Sequence, residues 1–415
     1  MKRGILLFFL LTIIITACTS QEEKSSPIDN NVAFNDEQQN VKETEEVESN
    51  DQKEKQNNNQ EEKENNEENE QSIKEQHWNR VFAKAFEPVD CPKPRDPATL
   101  PNGYYKGPMI DTHVHIFSLP DGAPGHPDDF YTGTNLGIAK SAEEWICMLK
   151  VEGTKKALVF FPAAEPIVNE SIDVVKILQE KYPTLFIPFI NTPDPKGPAT
   201  VVAKELNSML ELEPGLFKGY GEIGLYERPD GAPALPPNSA RLQEIYPVIR
   251  KHNLVVYFHL GEGQADALTQ AAQANPDIKF IFHGDQLKDC AECDRTHKQI
   301  AAILEKNPNV YYGVDELYGG DWLLKPGESK EAFITHFKNY DPILKKDLAT
   351  FKEFIESHPD QVLWGTDRGV SVEWDKEPEV ALILNNYTRA FINRLNPAVQ
   401  EKFAYKNAEK LFNNE

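Results

Sequence analysis

From residue 108 onward, short apolar runs alternate with segments that carry apolar residues at helical spacing. This alternation is typical of repeated βα units, which form a parallel sheet covered by helices. The runs hold few polar residues before their last positions, which indicates strands that are buried on both faces. Eight such runs occur, at residues 108–117, 156–162, 185–192, 217–225, 254–260, 278–284, 309–315 and 361–367.

Eight parallel strands are the number that closes a TIM (β/α)8 barrel, a fold of the α/β class. An open, doubly wound sheet would produce the same alternation and is the alternative. We predict the barrel. Helices are predicted from Ser141, Ser171 and Ala240, and the first two begin with a serine suited to N-capping.

The N-terminus follows a different pattern. Residues 1–18 begin with two basic side chains, continue with an apolar run and end at Cys18 after Thr16 and Ala17. We interpret this segment as a secretory signal, since it is short for a membrane-spanning helix. It resembles a bacterial lipoprotein signal, which implies that Cys18 is lipidated and holds the protein on the extracytoplasmic side of the cell membrane. An ordinary cleaved signal is the alternative.

Residues 19–75 are rich in Glu, Asn, Gln and Lys and contain few apolar residues, which predicts a disordered linker. Residues 76–107 would lead into the barrel domain, which we place at 108–415. The linker carries 18 acidic and 6 basic residues, so it contributes about half of the net charge of −22. The rest of the chain is acidic as well, which argues against nucleic acid as a partner and leaves a small-molecule substrate.

Besides Cys18, the chain contains Cys91, Cys147, Cys290 and Cys293. The last two form a CxxC pair, which would need two further ligands to make a structural zinc site. For an exported protein, a disulfide or inert thiols is the simpler prediction.

Polar side chains stand at the C-terminal ends of the predicted strands, where barrel enzymes build their sites. His113 and His115 are two residues apart on one strand, so their side chains point the same way and can reach one ion. A third histidine and a carboxylate would complete an N₃O set suited to zinc or a similar divalent metal. The polar residues at strand ends are Asp111, His113, His115, Glu222, His259, His283 and Asp367.

Five motifs together resemble the amidohydrolase superfamily of metal-dependent hydrolases: IDTHVH, YFH, FHG, WGTD and the terminal KNAEKLF. The terminal helix and the HG pair are similar to the amidohydrolase-2 group, which also includes decarboxylases. The run GYGEIGL resembles the GEIGLD of TatD-like hydrolases, in which the glutamate bridges or supports a two-metal centre.

The resemblance implies that the metal ligands are His113, His115, His259 and Asp367, with Asp367 also serving as the catalytic base. It places Glu222 and His283 where they would bind a second metal or support the first, and His283 is also a candidate for orienting the substrate's electrophilic oxygen.

Two departures from the two-metal patterns affect the number of ions. Tyr226 stands where TatD-like proteins tend to have aspartate, and strand four has no lysine beyond Lys218 at its start. We therefore predict one tightly held divalent metal, zinc by its ligand set, with Glu222 allowing a second.

Long loops after strands one, four and seven are expected to select the substrate. Tyr226 and other loop aromatics are candidates for a pocket wall, although each is as well suited to pinning its loop to the barrel. Arg228 and Arg368 are candidates for binding an anionic group. The predicted protein is a membrane-anchored, metal-dependent hydrolase of a small substrate. The alternatives are a decarboxylase on the same barrel and a non-catalytic, ligand-binding surface lipoprotein.

Overall fold

A computed structural model gives the arrangement of most of the chain beyond the N-terminal region. Residues 76, 79 and 83 are described singly, and a continuous description begins at residue 86. The described ranges are 86–115, 141–163, 168–193, 199–227, 233–283, 297–315, 317–318, 328–369, 374 and 377–412. The predicted signal, Cys18, the linker, Arg228, Cys290 and Cys293 lie outside them. No helix of the described residues is long and apolar enough to cross a membrane.

Eight parallel strands form one sheet in the order β1 to β8, each hydrogen-bonded to the next in sequence. All eight predicted strands are present, and most are one to three residues shorter at an end than their apolar runs. The strands are β1 (Ile110–Val114), β2 (Lys156–Pro162), β3 (Phe186–Asn191), β4 (Gly219–Gly224), β5 (Val255–His259), β6 (Phe280–His283), β7 (Val310–Val314) and β8 (Val362–Trp364).

Hydrogen bonds between the C-terminal end of the first strand and the residues that follow the last strand close the sheet. The backbone N–H of His115 donates to the carbonyl of Arg368 at 2.8 Å, and the N–H of Asp367 donates to the carbonyl of His113 at 2.9 Å. Gly369 has φ +101°, and a Cβ at this position would lie 1.9 Å from the carbonyl oxygen of His115, so only glycine allows this approach. The prediction of a TIM barrel is confirmed, and the open-sheet alternative is wrong.

Helices follow the strands and cover the outside of the barrel. They are α1 (Ala142–Glu152), α2 (Val168–Lys181), α3 (Ala203–Leu212), α4 (Ala240–His252), α5 (Ala265–Ala274), α6 (His297–Lys306), α7 (Lys330–Phe337), α8 (Asp341–Ser357), α9 (Pro378–Ile392), α10 (Pro397–Glu401) and α11 (Asn407–Phe412), with a 3₁₀ turn at Pro97–Thr99 and a π-helical turn at Lys402–Lys406.

The predicted helix starts are partly confirmed. Ser141 caps α1 in a capping box with Glu144, and α4 begins at Ala240 as predicted. The start predicted at Ser171 is wrong, because α2 begins three residues earlier and buries Ser171 inside the helix.

Alternate residues of the strands face two separate cores, as the period of two requires. On β2, Leu158 and Phe160 point into the barrel, whereas Val159 and Phe161 pack against the helices. Helix α11 closes the barrel at the end opposite the C-terminal ends of the strands, where Leu411 joins the inner core. The terminal motif that suggested a family resemblance is therefore the plug of the barrel.

A disulfide between Cys91 and Cys147 ties the segment before β1 to helix α1. Arg95 adds a hydrogen bond from its guanidinium to the carbonyl of Glu152, at the end of the same helix. The sequence analysis did not predict this pairing. Closing a loop between cysteines 56 positions apart restricts the unfolded chain and stabilises the fold by about 2–4 kcal/mol.

We expect Leu411→Ala to lower the free energy of unfolding by about 2–5 kcal/mol, because it removes a buried side chain from the plug. Leu212→Ala is the control, since Leu212 is 48% exposed and its truncation should cost less than about 0.5 kcal/mol. Urea denaturation followed by circular dichroism measures both. Equal losses in the two variants would contradict the role of α11 as a plug.

Candidate metal centre

Four histidines and three carboxylates meet at the C-terminal ends of the strands. The barrel brings together every residue that the sequence analysis named as a metal ligand. The histidines are His113 on β1, His115 directly after it, His259 on β5 and His283 on β6, and the carboxylates are Glu222 on β4, Asp315 after β7 and Asp367 after β8.

One group of side chains, which we call the HxH cluster, contains His113, His115, Asp367 and Glu222. The Nε2 atoms of the two histidines are 3.0 Å apart, and Oδ1 of Asp367 lies 3.0 and 3.2 Å from them. Oε2 of Glu222 lies 3.5 Å from Nε2 of His113 and 3.1 Å from Nε2 of His115. Ligand atoms about 2.1 Å from a tetrahedral ion are roughly 3.4 Å apart, so these donors fit a divalent metal.

A second group, which we call the β5–β6 cluster, contains Glu222, His259 and His283. Oε1 of Glu222 lies 3.0 Å from Nδ1 of His259 and also contacts Nε2 of His283. Glu222 therefore belongs to both clusters and uses a different oxygen in each. Among the described residues, the ligand atom of His259 groups with these two residues within 4.8 Å.

The sequence analysis missed Asp315. Its Oδ2 atom lies 2.9 Å from Nδ1 of His113 and 2.8 Å from Nδ1 of His283, and its side chain is 2% exposed. The sequence does contain a signal for Asp315, because this aspartate ends an apolar run, as Asp367 does. No family motif marks it.

The two kinds of group shift each other's pKa values. Burial alone would raise the pKa of Glu222, but His283 and the other histidines hold it well below its usual range. His113 and His115 likewise lower the pKa of Asp367 against the effect of burial. Burial would lower the pKa of His283, yet the carboxylates of Asp315 and Glu222 raise it to about 9. The carboxylates are thus ionised, and a divalent cation bound here would displace protons from His113, His115 and His283.

Asp111 holds the backbone that presents Asp367. Its carboxylate accepts hydrogen bonds from the N–H of Thr366 at 3.1 Å and from the hydroxyl of Thr366 at 2.6 Å. Asp367 itself has φ +50°, a left-handed conformation that needs such support in a non-glycine residue. Asp111 is fully buried, so it positions the site from below rather than contacting a ligand.

The structure places Arg368 where a substrate could not contact it. Its side chain is 1% exposed and donates to both carboxylate oxygens of Glu152 on α1, each at 3.1 Å. It also lies 3.4 Å from Asp111. Arg368 was named from its position next to Asp367, but its side chain points away from the site into the outer core, so the prediction of a substrate-binding arginine does not fit.

Tyr226 is the aromatic candidate that fits a pocket wall. It is 40% exposed, and its ring centre lies 4.7 Å from that of His259. Tyr318 is a loop anchor, since it is 1% exposed, its backbone N–H donates to Asp347 and its hydroxyl contacts Thr388.

The sequence matches the model of the family described as amidohydrolase (Amidohydro_2) over residues 110–413. The chain belongs to the amidohydrolase family. The matched region covers the whole barrel, from β1 to the plug helix, and contains both clusters. The predicted membership of the amidohydrolase superfamily, a superfamily of metal-dependent enzymes, is confirmed. The comparison with curated proteins found no match.

Solved structures that resemble the chain do so at low identity. A dihydroxybenzoic acid decarboxylase from Polaromonas sp. JS666, with bound manganese and an inhibitor, is 12% identical over 74% of this chain and 97% of its own, at a TM-score of 0.39. An N-acetyl-D-glucosamine-6-phosphate deacetylase from Mycobacterium smegmatis is 10% identical over 74% of this chain and 76% of its own, at a TM-score of 0.44. Similarity at this level does not indicate a substrate or a reaction.

We expect Arg368→Met to lower the free energy of unfolding by about 3–5 kcal/mol, because it leaves Glu152 buried without a counter-charge. Arg250→Met is the control, since Arg250 is 38% exposed and pairs with Asp277 at the surface, where a salt bridge is worth about 1 kcal/mol or less. Denaturant unfolding measures both. An Arg368 variant with unchanged stability and a raised KM would restore the substrate-binding role.

Proposed function

We propose that this amidohydrolase is a metal-dependent hydrolase of a small substrate. The observation that carries the proposal is the spacing in the HxH cluster, where the two histidine Nε2 atoms lie 3.0 Å apart and each lies 3.0–3.5 Å from two carboxylate oxygens at the mouth of the barrel. A barrel that served only to bind a ligand would have no need for this donor set.

A divalent ion, proposed as zinc because histidine nitrogens and carboxylate oxygens are its usual ligands, would supply a nucleophilic water near neutral pH and polarise a carbonyl or phosphoryl oxygen. Asp367 is the base of the proposal, because its side chain is 16% exposed and its Oδ1 lies 3.0 Å from Nε2 of His113 and 3.2 Å from Nε2 of His115, beside the proposed ion. His283 is only 2% exposed, so its contact with Glu222 suits it to orient that carboxylate. Tyr226 would line the substrate side of His259.

The proposal includes one tightly held ion in the HxH cluster and a weaker second ion in the β5–β6 cluster. Support for the second ion comes from Glu222, whose two oxygens face the two clusters separately. Support for the difference in affinity comes from the number of ligands, because His113 and His115 are approached by both Asp367 and Glu222, whereas the β5–β6 cluster offers three residues and shares Glu222 with the HxH cluster.

We also propose that the protein acts outside the cytoplasm, attached to the membrane through lipid on Cys18. This part rests on the sequence of residues 1–18 alone. Metabolic labelling with a fatty-acid analogue, compared between the natural chain and Cys18→Ala, tests it. Label that persists in the variant would contradict the anchor.

We expect His113→Ala combined with His115→Ala to lose the tightly bound metal and to lower turnover more than about 100-fold, beyond the 10–100-fold loss typical of residues that only support a metal ligand. The control is His252→Ala, since His252 lies at the end of α4 and contacts Asn207. Metal content by mass spectrometry and hydrolysis of esters, lactones, amides and phosphoesters, with zinc or manganese added separately, are the measurements. Retained metal and activity in the double variant would contradict the assignment of His113 and His115 as metal ligands.

Carbon dioxide release from aromatic acids, without hydrolysis of any ester or amide, would favour the decarboxylase instead.

We expect Glu222→Gln to reduce the affinity for a second equivalent of metal by at least 10-fold and to affect the first equivalent less. The amide keeps one oxygen acceptor but cannot give an anionic oxygen to each cluster. Titration of metal-free protein with zinc, followed calorimetrically, separates the two equivalents. A natural protein that binds one ion only, with the same affinity in the variant, would remove the second site from the proposal.

A further inference from the structure

Asp315 joins two histidines of the site from the side opposite the metal ligands. A single oxygen, Oδ2, lies 2.9 Å from Nδ1 of His113 and 2.8 Å from Nδ1 of His283. The ring centres of the two histidines are 4.2 Å apart at nearly right angles, so both Nδ1 atoms can face one acceptor. A carboxylate oxygen only accepts hydrogen bonds, and each Nδ1 must therefore carry the proton.

The consequence for each histidine is a defined tautomer. With Nδ1 as the donor, Nε2 of neutral His113 offers its lone pair to the HxH cluster, where it lies 3.0 Å from Nε2 of His115. Nε2 of His283 faces Oε1 of Glu222, which also only accepts, so this imidazole donates from both nitrogens until a metal replaces the proton on Nε2. A carboxylate that holds the far nitrogen of a metal ligand also raises the basicity of that ligand.

The barrel leaves the side chains of Asp315, His113 and His283 little room to move. Asp315 directly follows β7, and its neighbours on β1 and β6 are strand residues with side chains 0% and 2% exposed. The hydroxyl of Tyr257 lies 3.1 Å from Nδ1 of His113 and fills the space beside it. Gly313 leaves room for that hydroxyl, because a Cβ there would lie 2.7 Å from it.

We propose that Asp315 is a positioning residue, which fixes the tautomer and orientation of His113 and His283 through one shared oxygen and so sets the metal affinity of the HxH cluster. The role in metal binding rests on the proposed function, whereas the paired hydrogen bonds stand without it. Asp315 does not contact the substrate, since its side chain is 2% exposed beneath the histidines.

Asp315 also belongs to a group of possible ligands with His113, His283 and Asp367. The geometry favours positioning over direct ligation, because both histidines turn Nδ1 toward Asp315 and Nε2 toward the other ligands. An ion bound at Oδ2 would displace both N–H donors.

The test compares Asp315→Asn and Asp315→Leu with the natural chain. Asparagine keeps an oxygen that can accept both hydrogen bonds without the charge, and leucine of similar size removes the acceptor. Asp347→Asn is the matched control, since Asp347 is a 2% exposed aspartate on α8 that accepts from the N–H of Tyr318 and the hydroxyl of Tyr387 through one oxygen, away from the two clusters.

Two measurements apply to every variant. The first is the set of strongly downfield imidazole N–H proton signals in protein labelled with ¹⁵N at histidine Nδ1, with and without zinc. The second is zinc affinity by competition with a chelator. Cobalt-substituted protein adds an absorption spectrum that reports the ligand set.

We expect Asp315→Leu to lose the signals of both histidines and 10–100-fold in zinc affinity. We expect Asp315→Asn to keep both signals at smaller downfield shifts, with a smaller loss of affinity and an unchanged cobalt spectrum. Asp347→Asn should match the natural chain in all three. If the leucine variant does not fold, the downfield shifts of the imidazole proton signals in Asp315→Asn decide whether Asp315 holds both histidines.

Proton signals and zinc affinity that stay unchanged in both Asp315 variants would overturn the inference, and a cobalt spectrum that changes in Asp315→Asn would make Asp315 a ligand instead. A failure of the proposed hydrolysis can be told apart from a failure of this inference. If the natural chain binds zinc but turns over no substrate, zinc affinity and the proton signals still test the role of Asp315. If it binds no zinc, the proton signals of the metal-free protein test the paired hydrogen bonds.

Discussion

The hydrogen bonds between the C-terminal end of β1 and the residues that follow β8 are the contact on which the site depends. The carbonyl of His113 accepts from the N–H of Asp367, and the N–H of His115 donates to the carbonyl of Arg368. These two bonds close the barrel and, in the same step, bring the HxH histidines against the carboxylate from the last strand. A sheet left open at this edge would separate the HxH pair from Asp367. Closure of the barrel therefore also places Asp367 beside the two histidines of the HxH cluster.

Charge is distributed in two layers around that closure. Below the site, the fully buried Asp111 and the nearly buried Glu152 share Arg368, and burial raises the pKa of Asp111 to about 6 in spite of the arginine. Above it, Glu222, Asp315 and Asp367 face four histidines, and no described lysine or arginine pairs with these three carboxylates. Arg368 thus pairs with carboxylates beneath the site, whereas the three carboxylates at the mouth of the barrel pair with histidines. A divalent cation that replaces the histidine protons would balance the same carboxylates.

The sequence predicted the strands better than the contacts between them. Parallel strands buried on both faces leave continuous apolar runs, so all eight were found, with errors only at their ends. The start of α2 was misplaced at Ser171 because a serine that suits a cap also fits inside a helix when tertiary packing covers it. Arg368 was assigned to the substrate because its partner, Glu152, lies 216 positions earlier in the chain. Asp315 was overlooked because a single aspartate after a strand has no spacing to mark it, and the pairing of Cys91 with Cys147 likewise depends on the folded arrangement.

Glu222 and Asp315 together explain why the four histidines should behave as one unit. Glu222 contacts His115 and His259 from the open side of the barrel, and Asp315 contacts His113 and His283 from beneath. Glu222 also reaches the latter two, so every imidazole of the site is bound to a carboxylate that holds at least one other imidazole. In such a network the loss of one carboxylate reorients several ligands, and effects of separate substitutions are not expected to add. Metal affinity in this barrel is then a property of the linked set, which is why a buried residue that touches no substrate can control it.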